Sequence, residues 1–363
     1  MKLDLVQIRN LRNLEDVAFQ PSHSINVFVG ENGSGKSSIL EAIHYLGFAR
    51  SFRSNKHKNV IQHQKQNFTV FCEAHAERGR LKLGLSRSTD DSFSVSVDGE
   101  HSKKVAALVS ELPVQVFTPQ SSDLLLGPPK LRRRYLDWLL FHVEHSFYEK
   151  ANSYQKVIKH KNALLRRGMR KSCQQSEFWN MQFIQLGLQL TQYRGHILET
   201  ELKPLILSNL RHFLPEFSFE ISYYRGWEKD LSLEESLLKH SERDQRVGYT
   251  SIGPHKADMR IKLDGVLAHE VLSRGQLRML VAALQLAQTQ HLHSYTKKTS
   301  IFLLDDIGAE LDVVKRELFI DKLLDLNAQL FVTAIEKQQI AFINKYHDKK
   351  MFHVEHGQVR EEN

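Results

Sequence analysis

The eight residues Gly30-Glu31-Asn32-Gly33-Ser34-Gly35-Lys36-Ser37 constrain this chain more than any other stretch. They fit the pattern G-x-x-x-x-G-K-[ST] without a mismatch. Before them runs Ile25-Asn26-Val27-Phe28-Val29, apolar, β-branched and of strand length. After them, Ser38 to Leu46 carries apolar residues at helical spacing. Strand, glycine loop and helix in that order form a phosphate-binding loop. Gly30, Gly33 and Gly35 let successive N–H groups turn inward as an anion nest, and the following helix presents the positive end of its dipole. Residues Gly30, Glu31, Asn32, Gly33, Ser34, Gly35, Lys36 and Ser37 are therefore expected to hold ATP. Lys36 would reach the β- and γ-phosphates, and the Ser37 hydroxyl would ligate Mg²⁺.

Composition narrows the partners. With 363 residues, 41% hydrophobic and 25% charged, the chain reads as soluble and globular, with one to three domains. No apolar run approaches a membrane span, and Met1 to Val6 reads as an amphipathic strand rather than a signal peptide. Two distant cysteines, Cys72 and Cys173, argue against a disulfide framework and for a reducing cytoplasm. The formal charge is +8, and it is concentrated. Between Lys130 and Lys171 twelve Lys/Arg face three acidic residues, an excess larger than that of the whole chain. A localised basic surface is the electrostatic footprint of nucleic-acid binding. The candidate DNA contacts are Lys130, Arg132, Arg133 and Arg134 at its start, and Arg166, Arg167, Arg170 and Lys171 at its end. No aromatic interleaving accompanies them, so backbone rather than base readout is expected.

Residues 1–118 read as strands around the loop and its helix. The character changes at Gly127-Pro128-Pro129. One helix is expected from Lys130 to about Arg167, broken by Gly168 and Ser172, and a second from Ser176 to about Leu214, ended or kinked at Pro204. Short strands return at Val247–Ile252 and Asp258–Leu263. A long helix Arg274–Tyr295, an apolar strand Ile301–Leu304, a helix Asp312–Leu324 and a buried strand Leu330–Thr333 follow. The expected fold is α/β: a mixed-sheet head formed by 1–118 and 246–363, interrupted by a mainly helical lobe at 119–245. Phe-His-Val-Glu-His occurs twice, at 141–145 in a helical context and at 352–356 in a strand context. The repeat is read as chance rather than as a metal site.

The strand Ile301–Leu304 runs into Asp305, which fits a Walker B carboxylate holding Mg²⁺, with Asp306 placed to polarise an attacking water. Upstream, Leu272-Ser273-Arg274-Gly275-Gln276 resembles the signature motif of ABC-type ATPases. Together with Ala309-Glu310-Leu311-Asp312 it resembles the signature and D-loop pair of SMC-type heads. In such heads Ser273, Arg274, Gly275 and Gln276 would meet the ATP of a second protomer, with Glu310 and Asp312 in the D-loop. Further segments resemble the RecF family: Asn10-Leu11-Arg12-Asn13, Ser51-Phe52-Arg53, Pro128 to Asp137, Gly253-Pro254-His255-Lys256-Ala257-Asp258 and Leu304-Asp305-Asp306. That resemblance implies an ABC-type head with a short helical lobe and an ATP-dependent homodimer. It implies weak, slow, DNA-stimulated ATP hydrolysis, and binding to single-stranded and duplex DNA at gaps or junctions. It also implies work in replication, recombinational repair and the SOS response, where RecA is loaded with RecO and RecR. Arg12 and Gln120, the latter as a Q-loop analogue, are candidate nucleotide contacts.

Some positions depart from the wider pattern. Thr333 stands where transporters carry a switch histidine, and Asp306 is shorter than the usual glutamate; both point to slow turnover. In the Gly-Pro-His segment, Lys256-Ala257 replaces a basic-acidic pair, so His255 reads equally as a functional group or a satisfied turn histidine. A transporter ATPase subunit would need a switch histidine and a hydrophobic coupling surface, and neither is evident. A DNA scaffold with a merely regulatory nucleotide site would need a damaged Walker B, yet Asp305 and Asp306 are both present. A nuclease-linked ATPase would need a further metal-carboxylate domain, for which the chain ends too soon.

Overall fold

Alternation of apolar and polar residues begins at the N-terminus, and a computed structural model, which describes residues 1–76, 79–102, 104–167 and 174–362, shows it as antiparallel strands β1 (Lys2–Leu11) and β2 (Leu14–Phe19). Strand β3 (Ile25–Val29) is buried along its whole length and leads through the glycine loop into α1 (Lys36–Phe48). Strands β4 (Asn67–Ala76), β5 (Gly79–Ser88), β6 (Phe93–Val97) and β7 (Glu100–Ser102) extend the first sheet in the order β2-β1-β4-β5-β6-β7. Asp98 and Gly99, both at positive φ, make the β6–β7 turn. Helix α2 (Val105–Glu111) and strand β8 (Val114–Phe117) follow.

The middle of the chain holds α3 (Asp123–Leu126), α4 (Pro129–Val143), α5 (Phe147–Arg166), α6 (Gln174–His196), α7 (Lys203–Phe213), β9 (Phe219–Tyr224) and α8 (Leu233–Val247). Then come β10 (Asp258–Leu263), β11 (Val266–Leu267), α9 (Ala268–Val271) and α10 (Arg274–Thr296). The expected single helix over 130–167 divides at 144–146, where Glu144 Oε1 accepts from the Ser146 N–H and hydroxyl. The second divides too: a π-helical turn, Ile197–Leu202, separates α6 from α7, and Pro204 sits in the first turn of α7, where its missing N–H is tolerated. The stretch 247–252 is not a strand. Val247 ends α8, a helix opened by a capping box between Ser232 and Glu235 and closed by Gly248 at φ 75°.

The chain ends with β12 (Ile301–Leu304), α11 (Ile307–Glu310), α12 (Val313–Asp325), β13 (Gln329–Ala334), β14 (Lys349–Glu355) and β15 (Gln358–Glu362). These strands join β3 and β8 in a second sheet ordered β15-β14-β3-β13-β12-β8, in which only β15 runs antiparallel to its neighbour. The two copies of Phe-His-Val-Glu-His take different structures, one at the end of α4 and one on β14.

Packing divides the chain into residues 1–121 with 292–363, and residues 122–291. The second unit thus runs past residue 245, where the sequence placed the return to the head. β9 pairs with β10 from Phe219↔Leu263 to Tyr224↔Asp258, and the Tyr135 hydroxyl donates to Leu284 O, so these later elements pack with the helices. In the first unit α1 is buried on nearly every side, within a core that contains Phe28, Tyr45, Phe68, Leu303 and Phe331. A helix so enclosed can carry an apolar surface all round.

Candidate functional site

The loop between β3 and α1 is shaped by close backbone approach. A Cβ on Gly30 would lie 2.1 Å from Val354 O, so β14 leaves no room for any side chain there. Gly35 sits at φ 123°, forbidden to other residues, and caps α1. The first N–H groups of α1 have no intrahelical acceptor and are the donors an anion would meet. Asn13 holds the loop from below: its amide donates to Gly33 O at 3.2 Å and Ser34 O at 3.0 Å, and its carbonyl accepts from Ser38 Oγ. The Gly357 N–H donates to Ser34 O, so the β14–β15 turn braces it as well. Lys36 folds back onto Gly30 O and Glu31 O at 2.7 and 2.8 Å, and burial lowers the pKa of its ammonium despite the nearby Asp305 and Asp306.

Strand register brings the carboxylates to the loop. β12 and β3 flank β13 in parallel, with Leu304 opposite Val332 and Thr333 opposite Phe28. All three strands end on one edge of the sheet, where Asp305 Oδ1 accepts from both Ser37 Oγ (2.9 Å) and Thr333 Oγ1 (2.8 Å). Thr333 Oγ1 in turn accepts from the Asp306 N–H at 2.8 Å. The residue that replaces a histidine is therefore a link between the two aspartates. Asp306 caps α11 at φ 51°, a strained angle for a non-glycine residue, and its Oδ1 is buried without a hydrogen-bond partner. Lys36, Ser37, Asp305, Asp306, Thr333 and Asn13 line one open cavity of about 510 Å³, together with Arg12 and Arg53. A glycine cradle, a hydroxyl and carboxylate in contact, and an orphaned carboxylate oxygen fit a nucleotide with its Mg²⁺. Ser37 and Asp305 are the residues that would hold the ion.

The remaining nucleotide candidates divide. Arg12 faces the cavity from the β1–β2 turn; at the entrance to the helical segment, Pro119 rather than Gln120 lines it, and Gln120 is exposed. Ser273, Arg274 and Gly275 are exposed at the start of α10, and Gln276 is half-buried. Ser273 and Gln276 cap each other, Oγ accepting from the Gln276 N–H at 3.3 Å and Gln276 Oε1 from the Ser273 N–H at 2.9 Å. Asp312 is exposed and accepts from the Lys315 N–H as the N-cap of α12. The Glu310 side chain lies outside the described residues.

From residue 2 to residue 359 the sequence matches the family model described as the RecF/RecN/SMC N-terminal domain. The DNA replication and repair protein RecF of Pseudoalteromonas atlantica is 64% identical over 363 residues, all of this chain and all of that protein. The chain belongs to the RecF family. Among solved structures, that of the recombination mediator protein RecF-ATP superposes with a TM-score of 0.90 at 24% identity, covering 100% of this chain and 98% of that one. The Smc head bound to the C-winged helix domain of ScpA superposes with a TM-score of 0.59 at 14% identity, covering 100% and 97%. These likenesses establish the fold as that of the ABC-type heads of RecF and SMC proteins.

The basic run of this family member is not uniformly available to a ligand. Lys130 and Arg134 are exposed, one turn apart on the same face of α4. Arg132 is instead held inside its unit: Nε and Nη2 meet the two oxygens of Asp258 at 2.7 and 3.1 Å, and Nη1 donates to the carbonyls of Leu124, Leu125 and Gly127. Arg133 donates to Ala257 O at 2.6 Å. Within its unit Arg132 is thus engaged through all three of its nitrogens, and Arg133 through Nη1. Arg166 and Arg167 are exposed, whereas Arg170 and Lys171 lie outside the described residues.

His255 is bonded through both ring nitrogens, to the Tyr154 hydroxyl and to Thr250 O, and burial pushes its pKa down to about 4. Among the residues the sequence left unassigned are Asn13, Arg53 and Thr333. Asn13 lay in a segment read only for its arginine, and Thr333 only for what it was not.

Proposed function

We propose that this chain is an ATP-switched DNA-binding protein of replication and recombinational repair, and a weak, DNA-stimulated ATPase. The single observation that carries the nucleotide reading is the meeting of Ser37, Asp305 and Thr333 at the mouth of the glycine loop, with Asp306 Oδ1 left unpartnered beside them. Lys36 would exchange its loop carbonyls for the β- and γ-phosphates, the α1 N–H groups would take phosphate oxygens, and Asp306 would orient the attacking water and accept its proton. When bound, Mg²⁺ supplies charge neutralisation at the phosphates.

The repair role is supported by the name of the 64%-identical relative and by the solved structure of RecF-ATP, described for that protein as part of the RecFOR pathway. On this reading ATP draws two copies together through the exposed Ser273–Gln276 turn and the D-loop residues Glu310 and Asp312. The homodimer forms on gapped or junction DNA in the cytoplasm, helps load RecA with RecO and RecR, also in the SOS response, and is reset by slow hydrolysis. Lys130, Arg134, Arg166 and Arg167, with Arg170 and Lys171, are the proposed phosphate-backbone contacts. Segments 1–121 and 292–363 would form the ATPase head, and 122–291 the lobe inserted in it, with the Ser273 turn on that lobe.

The test is ATP binding and turnover in the wild type and in Lys36→Met, with and without gapped duplex DNA. The expected result is binding and slow hydrolysis raised by gapped DNA, both lost in Lys36→Met. Nucleotide binding unchanged by that substitution would contradict the site.

A further inference from the structure

Glu41 is an acidic side chain with no solvent exposure, in the middle of the helix that begins at the loop. A carboxylate buried to that extent persists only when its charge and lone pairs are matched. It is matched by residues from two other segments. Arg12, upstream in the β1–β2 turn, donates Nε to Oε2 and Nη2 to Oε1, each at 2.9 Å, in a bidentate fork. Ser51, downstream of α1, donates its hydroxyl to Oε1, and that same Oγ accepts from the Arg53 and Ser54 N–H groups at 2.8 Å each. The Arg53 guanidinium lies 3.6 Å from Oε2 and remains 44% exposed.

Arg12 and Arg53 line the loop cavity; Glu41 does not. A guanidinium carries five N–H donors. Three of those on Arg12 are engaged, two by Glu41 and one by Asn59 O, which leaves two for a ligand. The Arg12 backbone sits at φ 56°, so the turn itself is constrained to deliver this side chain. Counting charged lining residues, Arg12, Lys36 and Arg53 oppose Asp305 and Asp306, so the two arginines decide the sign of the cavity.

We infer that Glu41 is a positioning residue: it aims Arg12 and Arg53, from two separate segments, at the anionic phosphates of a nucleotide held by the loop. Because Glu41 rides on the helix whose N-terminus forms the phosphate nest, it fixes both arginines in register with that nest. This inference rests on the nucleotide reading proposed above. A glutamine at this position keeps the volume but offers one acceptor oxygen and turns an NH₂ toward guanidinium donors, so the fork with Arg12 cannot form.

The experiment is a double-mutant cycle on the full chain, read as the Kd of Mg²⁺–mant-ATP by fluorescence, with circular dichroism and melting curves for every variant. Glu41→Gln is expected to raise Kd about tenfold in the wild-type background and less than about twofold in an Arg12→Ala/Arg53→Ala background. Glu41→Asp keeps the charge but withdraws it by one methylene; it is expected to raise Kd about threefold, an effect that also vanishes in the double-arginine background, and it serves if the glutamine variant does not fold. Affinity unchanged by both substitutions, or a loss that persists undiminished without the two arginines, overturns the inference. If the wild type binds and Lys36→Met does not, either result counts against Glu41 alone; a wild type that fails to bind removes the nucleotide reading and the inference with it.

Discussion

Two clusters of charge in this molecule are built oppositely. In residues 122–291 the ionic groups close on one another: Arg132 forks onto Asp258, and Arg194 forks onto Asp137 at 2.7 and 2.8 Å while its third nitrogen reaches Pro254 O. In the other unit the groups at the β3, β12 and β13 ends are left open. Asp306 Oδ1 and Ser34 Oγ are buried without partners, and Lys36 rests on loop carbonyls that a phosphate would displace. Paired charges hold a shape, whereas a carboxylate whose oxygen lacks a partner beside an open cavity is available to a ligand. The same contrast splits the arginine run: Arg132 is closed on Asp258, while Lys130 and Arg134 are exposed.

The contrast breaks most visibly if a closed pair is opened. Asp137→Ala leaves Arg194, 8% exposed at its side chain, without its carboxylate and should destabilise the fold by about 3 to 5 kcal/mol, seen as a lower urea midpoint, with ATP affinity little changed in the molecules that remain folded. A neutral result would mean that the pair is not structural.

On the open side, Asp306→Asn should lower ATP hydrolysis about 100-fold while leaving nucleotide binding intact, since it removes a base and leaves the phosphate cradle whole. Equal loss of binding and turnover would place Asp306 in the cradle instead.

Each unit also holds a buried neutral histidine, and pH compares them. Burial pushes the pKa of His44 down to about 3 and that of His255 to about 4. As pH falls below about 6.5 the unfolded chain takes up protons that these folded sites refuse, so stability is full above that value and declines toward pH 4. At pH 5.5 the loss is about 1.4 kcal/mol per histidine, readable as a lower denaturation midpoint than at pH 7.5. A midpoint that holds between the two would show that neither ring is kept neutral.

The smallest effect is expected at the surface. Lys130→Ala with Arg134→Ala should weaken DNA binding a few-fold without sequence preference, and reduce the slope of log affinity against log salt by about one for each phosphate no longer neutralised. Arg132→Ala should lower stability instead.

The phosphate loop, the Asp305 strand and the parallel strands around them were readable because glycine pattern and unbroken apolar runs are local properties. Satisfaction of charge is not local. Arg132 and Arg134 look alike in sequence, yet Asp258, 126 residues after Arg132, separates their fates. His255 was ambiguous for the same reason, its partners being Tyr154 and Thr250. Helix ends were missed where the signal was present but outweighed, as with Ser232 and Glu235, whose capping spacing announces α8 ahead of a stretch whose apolar residues suggested a strand. The joint at 197–202 needs the whole helix to be seen, since Pro204 alone does not say whether the chain stops or continues.

On the proposed reading one triphosphate is shared by two copies, cradled by the loop of one and met by the exposed Ser273 turn of the other. The direct measurement is the mass of the protein in solution, with and without ATP and Mg²⁺, for wild type and Ser273→Arg. Dimers that appear with ATP in the wild type and are absent in Ser273→Arg, although that variant still binds nucleotide, are the predicted result. ATP-dependent dimers unaffected by Ser273→Arg would contradict it.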